Sequence, residues 1–433
     1  MELKVFKFGG ASIADHELIK NVSSIIKSFG DNRIVVIISA MGKVTNALEK
    51  ICNQFIESKK QSPLRDLMQS IIEKHLIEAN HLGLNREVLL SKYEEFINQS
   101  QKALDGIDLE LEAAIYDQIV PLGELFSTTL VEAYLKEIGL NSHWLDVRKH
   151  LKTDDNYKDA RVDYNQSVAS MRDRTYEIFS TSDYIITQGF IASAPAGHTT
   201  TLGREGSDYT AALFAYALDA SELTIWKDVL GILTADPRRF DNVELLPMLS
   251  YAEAIEMTYY GASVIHPKTI RPIQNKSIKL NVRSYINTDE LGTRISDQGL
   301  PSYPPIVVVQ DNRMLLQITT KDFTFIAENH LSLIFKTLDK YRIKMSVMRN
   351  TAISFTLVIA HPGKVKLQKF LDALGGNFSF NMYENLQLIT IRYAQKPLIE
   401  SLTRNKVILF EERMKSTIQL VVRPALELKE KKV

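Results

Sequence analysis

Leu3-Lys4-Val5-Phe6-Lys7-Phe8-Gly9-Gly10-Ala11-Ser12 is the stretch whose reading decides the fold. Its first six residues are rich in apolar side chains and read as a short strand, which Gly9-Gly10 breaks. Beyond the break Leu18, Val22, Ile25, Ile26 and Phe29 recur at helical spacing on one face. Asp15 and Glu17 fall in the first turn of that helix, where its dipole favours acids. Residues 33–38 then run apolar after Arg33, as a parallel strand covered on both faces should. Strand, helix and strand in this order make a βαβ unit. Such a unit predicts an α/β sheet with ligands at the carboxyl ends of its strands.

Working outward, residues 46–139 read as mostly helical, with polar breaks at Gln61-Ser62-Pro63 and Asp105-Gly106. Strand-like runs return at 184–187 and 223–226. Leu300-Pro301-Ser302-Tyr303-Pro304-Pro305 is the strongest boundary signal. After it the pattern becomes strand (314–319), helix (331–340), strand (343–348), strand (354–360) and helix (364–374), a ferredoxin-like order. A second, shorter copy begins at 386–391. The expected domains are 1–300, 301–385 and 386–433.

Composition narrows the function. The 433 residues carry 52 Lys+Arg against 52 Asp+Glu, a net charge of zero, which removes the basic field expected of a nucleic-acid binder. One cysteine, Cys52, forms neither an internal disulfide nor a Cys-based zinc site, and reads as a packed helix residue. The N-terminus alternates charged and apolar residues without a signal-peptide core, and no apolar run approaches a membrane span, so a cytoplasmic protein without a membrane anchor is expected.

Four segments carry chemistry. Lys7 ahead of Gly9-Gly10 offers a cation and a backbone that can approach an anion closely, although on this motif alone a plain strand-to-helix turn with a surface lysine is the better reading. The stretch from Thr199 to Ala212 is denser, with hydroxyls, Gly203 and Gly206, Arg204, Ser207 and Asp208 before an Ala-rich helix. Capping by Ser207 or Asp208 explains a hydroxyl there but not the arginine, which suits a carboxylate. Lys227, Arg238 and Arg239 lie near turns and suit a polyphosphate, or else a solvated Asp-Pro turn. Glu124 follows Gly123 at a helix start and reads as a dipole-stabilised acid or as the partner of an ammonium group. The nine His show no HExxH spacing, and His266 before Pro267 reads as a turn residue. G-x-x-x-x-G-K-[ST], G-x-G-x-x-G, H-R-D, D-F-G and G-x-S-x-G are all missing.

Together these segments resemble the aspartate kinase family of the amino acid kinase superfamily. The resemblance rests on Lys7–Asp15, on Ser39-Ala40-Met41-Gly42-Lys43-Val44-Thr45-Asn46, on Gly123-Glu124 and on Trp144-Leu145-Asp146-Val147-Arg148. It continues, in the family's order, through Gly197–Arg204, Ser207-Asp208-Tyr209, Trp226-Lys227-Asp228-Val229, Asp236-Pro237-Arg238 and Gly261–Pro267. It implies an amino acid kinase fold, a mainly parallel central sheet with helices on both faces, followed by ferredoxin-like α+β ACT domains. It implies transfer of phosphate from ATP, with Mg²⁺ carried by the nucleotide, to L-aspartate, giving 4-phospho-L-aspartate, the first step toward lysine, threonine and methionine. No metal site of the protein's own is implied.

Carried over residue by residue, Lys7 touches the transferring phosphoryl group, Gly9 and Gly10 cradle it, and Asp208 organises Lys7. Arg204 grips a substrate carboxylate with Gly206, Ser207, Ser39 and Thr45, and Glu124 meets the ammonium or holds the substrate loop. Lys227, Asp228, Leu233, Arg238, Ser263 and Val264 contact ATP. Four positions depart from the family pattern. Glu205 replaces a glycine and is expected to point outward. Lys227 replaces a threonine, Leu233 an aromatic and Ser263 a lysine, for which Lys227 or Lys268 would compensate.

The ACT region implies an amino-acid effector and a homodimer or larger homo-oligomer. Lysine-sensitive relatives use an acid near the start of the second ACT strand. Residues 342–350 contain none and Ser346 takes its place, so weak or altered lysine inhibition is expected. A kinase for glutamate or a nucleotide, and an inactive ACT amino-acid sensor, are the alternative readings. A fused homoserine dehydrogenase is not expected.

Overall fold

The structure is a computed structural model and describes residues 2–30, 32–58, 62–262, 265–322 and 324–425. The chain clusters into two compact units. The first holds Met1–Ile232, Leu245–Thr258 and Ser263–Leu300; the second holds Leu233–Glu244, Tyr259–Ala262 and Pro301–Val433.

In the first unit β1 (Leu3–Phe8) is followed by α1 (His16–Ser28), β2 (Arg33–Ile38) and α2 (Val44–Glu57). A helical stretch comes next: α3 (Leu64–Leu67), α4 (Gln69–His81), α5 (Arg86–Asp105), α6 (Glu112–Ile119) and α7 (Leu122–Glu137). The chain then runs through β3 (Ser142–Leu145), α8 (Tyr164–Ile178), β4 (Tyr184–Gln188), β5 (Ile191–Ser193), β6 (Thr199–Thr201), α9 (Gly206–Ala217) and β7 (Glu222–Lys227). The unit finishes with β8 (Met248–Ser250), α10 (Tyr251–Tyr259), α11 (Pro267–Gln274), β9 (Lys279–Ser284) and β10 (Thr293–Ser296). Eight strands form one sheet in the order β3-β4-β2-β1-β7-β9-β10-β8, and only the β9–β10 pair is antiparallel. This mainly parallel sheet is the α/β arrangement that the opening βαβ unit predicts, and it agrees with the fold that the resemblance implies.

The order puts the most apolar strands in the middle. Val5, Phe6, Phe8 and every residue from Ile34 to Ile38 are fully buried, as strands covered on both faces must be. Phe8 stacks on Trp226 of β7 at 5.8 Å and Phe6 meets the same indole edge-on at 5.7 Å, which fixes β1 against β7 by aromatic contact as well as by the ladder. Asp15 is the N-cap of α1, its carboxylate accepting from the Leu18 N–H at 3.0 Å. His266 caps α11 in the same way, its Nδ1 accepting from the Lys268 N–H. Cys52 is buried in α2, where burial raises its thiol pKa to about 12.

In the second unit β11 (Ile306–Thr320), α12 (Glu328–Lys340), β12 (Met345–Asn350), β13 (Ser354–Ala360), α13 (Lys364–Leu374) and β14 (Phe378–Arg392) precede α14 (Lys396–Thr403), β15 (Lys406–Arg413) and β16 (Thr417–Pro424). The six strands form one antiparallel sheet, order β12-β13-β11-β14-β16-β15, of the kind ACT domains use. β11 and β14 each run 15 residues and pair along their whole length, with a bulge between Gln310 and Arg313. The expected division at 385/386 therefore falls inside a strand, at Asn385, whose φ is 57°. Met314, Leu316, Ile334, Leu357 and Phe370 form one core of this unit, and Ile389, Ile391, Leu420 and Val422 another.

Candidate active site

β1, β2, β4 and β7 are parallel neighbours, so their carboxyl ends share one edge of the sheet. The loops that leave these ends make the site. Gly10 begins a short 3₁₀ turn, and a Cβ there would sit 2.2 Å from the Ala40 carbonyl, so only glycine lets the loops after β1 and β2 touch. The turn after β4 meets the start of α9 as closely. A Cβ on Gly189 would lie 2.5 Å from Cβ of Ser207.

The side chains converge on one cavity of about 610 Å³ in the first unit. Lys7, Arg204 and Asp208 all line it, as do Ser39, Thr45, Glu124, Gly206, Ser207 and Lys227. Lys7 Nζ lies 2.6 Å from Asp208 Oδ1, with the two side chains 12% and 6% exposed. A pair this buried holds the amine in one place, although water is close enough to soften the attraction. Ser39 Oγ donates to Ser207 Oγ at 3.0 Å. The Ala40 N–H donates to Glu124 Oε1 at 3.2 Å, while Glu124 Oε2 is buried without a partner. Burial raises the pKa of Glu124 to about 8.

The start of α9 opens on the cavity. Its N-cap is Glu205, in left-handed conformation with φ 54° and no capping side chain. Ser207 and Asp208 sit inside the first turn and face the cavity instead of capping the helix, which removes the structural reading of that segment. Glu205 corrects an expectation: it lines the cavity and buries Oε2 without a hydrogen-bond partner, where an outward side chain was expected.

The residues expected to contact ATP are less collected. Lys227 ends β7 at the cavity, but Asp228 beside it is exposed and does not line it. Gly9 is close to Lys7, whose Nζ lies 3.6 Å from where a Gly9 Cβ would stand. Leu233 and Arg238 belong to the second unit. There Arg238 forks onto Asp236, Nε to Oδ1 at 3.0 Å and a terminal nitrogen to Oδ2 at 2.9 Å, and it is 87% exposed. Ser263 and Val264 lie outside the described residues. Lys268 is engaged by Asp159 at 2.5 Å.

Several contributors were missed in the sequence. Lys158 lines the cavity, its Nζ 4.3 Å from the centre of the Tyr116 ring. Asp117, fully buried in α6, accepts from the Lys158 N–H and from both N–H and hydroxyl of Thr201, so it pins two cavity segments at once. Burial raises its pKa to about 6. The hydroxyl run at Thr199–Thr201 was a visible signal; the acid 84 residues away that answers it was not.

A cavity with four cations, oriented hydroxyls and a helix N-terminus can hold two anions side by side. The chain belongs to the amino acid kinase family, whose sequence profile matches residues 2–284. Within that family it falls among the aspartate kinases. It is 31% identical to lysine-sensitive aspartokinase 3 of Escherichia coli K12 over 402 residues, 90% of this chain and 87% of the relative. The solved structure of E. coli aspartokinase III with aspartate and ADP in the R-state superposes with a TM-score of 0.80 at 27% identity, covering 98% of this chain and 97% of that one. The T-state structure of that enzyme with lysine and aspartate gives 0.79 at 26%, covering 99% and 97%. Among the described residues no helix is long and apolar enough to cross a membrane.

Proposed function

We infer that this protein is an aspartate kinase, transferring the γ-phosphoryl group of ATP to the side-chain carboxylate of L-aspartate. The observation that carries it is the Lys7–Asp208 pair in the same cavity as Arg204, Ser207 and Ser39. The nucleophile is a carboxylate with an ordinary pKa near 3.9, ionised at neutral pH, so the chemistry needs no general base. The remaining work is to hold two negative groups in line and to stabilise a loose phosphoryl transition state.

Lys7, kept in place by Asp208, faces the transferring group, with the Gly9-Gly10 backbone beside it. Arg204 takes a carboxylate of aspartate in its fork, assisted by Ser207, Ser39, Thr45 and the Gly206 backbone. Glu124 answers the substrate ammonium: its unpartnered Oε2 is a buried acceptor that a cation would satisfy. Lys227, Asp228, Leu233, Arg238, Ser263 and Val264 are assigned to ATP. With Asp208 engaged by Lys7, the orphaned Glu205 Oε2 is the buried acceptor that would help to hold Mg²⁺ carried by the nucleotide. Such an ion would supply charge neutralisation to the phosphates.

The chain is read as a catalytic domain over 1–300 and ACT domains over 301–385 and 386–433, regulated by an amino acid and assembled as a homodimer in the cytoplasm. Sedimentation showing only monomer would refute the dimer. An ATP-dependent hydroxamate assay with aspartate and with glutamate tests the reaction itself. Product with aspartate alone is expected. Product mainly with glutamate would move the enzyme to another substrate, and none with either would leave an amino-acid sensor.

A further inference from the structure

On the first unit, away from the cavity-lining residues, two imidazoles and a carboxylate meet between α1 and α4. His16 is the first residue of α1, and Glu78 and His81 are three apart on one face of α4. His16 Nδ1 lies 2.8 Å from Glu78 Oε2, and His81 Nδ1 lies 3.9 Å from the same oxygen. The two rings are 4.4 Å apart, and one ligand atom from each residue falls within 4.8 Å of the others. Among the described residues this is the one group of three such side chains so placed.

We propose that His16, Glu78 and His81 bind a divalent transition-metal ion, of which zinc is the best match. The donor set is two imidazoles and one carboxylate, which suits zinc and disfavours magnesium, a cation that prefers oxygen. Two ligands about 2.1 Å from a tetrahedral ion stand roughly 3.4 Å apart. The separations from Glu78 Oε2, 2.8 and 3.9 Å, bracket that spacing, and all three ligand atoms lie within 4.8 Å of one another, so small side-chain shifts close the site. A hydrogen-bonded clip between His16 and Glu78 explains their contact, and the His16 backbone N–H adds a second bond to Glu78 Oε2. It does not explain His81, whose Nδ1 faces the same carboxylate from beyond hydrogen-bond reach. With three protein ligands and a ring of His81 that is 48% exposed, a fourth position is left to water.

The ion would act as a strut. α4 also carries Lys74, whose Nζ donates to the Gly42 carbonyl at 2.7 Å in the loop after β2, and His16 comes directly after the loop from Gly9 to Asp15. Binding at the His16 site therefore fastens α4 to the two loops whose close approach shapes the cavity.

The test uses the full chain, stripped with a chelator and then dialysed against micromolar Zn²⁺. One ion per chain is expected, with a rise in Tm of a few degrees at saturation. Glu78→Gln and His81→Ala should each weaken binding at least about tenfold and abolish the Tm shift. His81 is half exposed, so its truncation leaves the fold and the aspartate kinase assay intact, and that assay reports folding independently. Co²⁺ in place of Zn²⁺ should show the visible absorption of a low-coordinate, imidazole-bound ion, lost in His81→Ala. Clearly fewer than one Zn²⁺ per chain would overturn the proposal. Undiminished binding in both variants would do the same, because other histidines would then hold the ion.

Discussion

The residues proposed for aspartate and those proposed for ATP are placed differently. Those proposed for aspartate, Ser39, Glu124, Arg204 and Ser207, stand with Lys7 and Asp208 around one sheet edge of the first unit, where the 2.6 Å Lys7–Asp208 ion pair and the 3.0 Å Ser39–Ser207 contact are already made. Of those proposed for ATP, Lys227 lines the same cavity, but the segment after β7 is placed otherwise. There Asp228 stands exposed, Arg238 is committed to Asp236, and Leu233 belongs to the other compact unit. Rigid elements place side chains to within a few tenths of an ångström, and loops do not. On the proposed roles, the residues for the phosphoryl acceptor are preorganised, while several of those proposed for the donor have partners of their own.

The largest effect should come from Lys7. Lys7→Ala is expected to lower kcat at least about a hundredfold, the scale for removing one preorganised electrostatic contact. Asp208→Asn, which frees the amine without removing it, should fall in the same direction by less. Steady-state kinetics of both variants decide it: full activity in Lys7→Ala would dissolve the distinction between the two proposed sets of residues.

Arg204→Ala comes next. Loss of a charged, bidentate contact costs about 1.5–3 kcal/mol, or roughly ten- to a hundredfold in the KM for aspartate. The KM for ATP should move little. Equal changes in both would mean that Arg204 serves the nucleotide, and the two sets would have to be redrawn. A smaller effect is expected for Gly189→Ala, which forces a methyl against Ser207 and should cost about 1–3 kcal/mol of stability, read as a lower Tm.

Glu124 gives a pH signature. Its folded pKa, about 8, stands above the unfolded value of 4.5, so between these values the folded state keeps a proton that the unfolded state has lost. Stability contributed by the protonated form is complete below about 4.5 and declines as pH rises toward 8. Glu124→Gln keeps an acceptor for the Ala40 N–H and should flatten that decline. Identical Tm-against-pH curves for the two proteins would remove the buried acid from the account. Aspartate, if its ammonium meets Glu124, should bind with release of a proton near neutral pH.

The sequence was most legible where local rules and the final packing agree. Residues 3–38 declare a βαβ unit because strand, helix and strand each keep a clean apolar period, and the structure keeps all three. Arg204 stood out because capping cannot explain an arginine. Glu205 was misread because an acid beside an anion site was expected to turn outward, whereas it lines the cavity from the N-cap of α9, with a left-handed φ. Asp117 was illegible: an acid in mid-helix looks like solvated surface until β6 arrives 84 residues later to be held by it. The long β11 and β14 were seen only in part, since a bulged strand interrupts its own alternation.

The subtlest expectation concerns the second unit. Ser346 lies in β12, between Met345 and Val347, at the register shift against β13. β12 is an edge strand, and its residues, Met345–Asn350, include no carboxylate. A lysine effector brings an ammonium group that must be desolvated, at a cost of several kcal/mol unless an anion meets it. A serine hydroxyl recovers only the fraction that a neutral hydrogen bond supplies. Millimolar lysine should therefore leave activity nearly unchanged, and Ser346→Asp should introduce or strengthen inhibition. Strong lysine inhibition of the unmodified protein would mean that the acid is supplied from elsewhere. The second unit would then prove as well prepared for its ligand as the residues proposed for aspartate are for theirs.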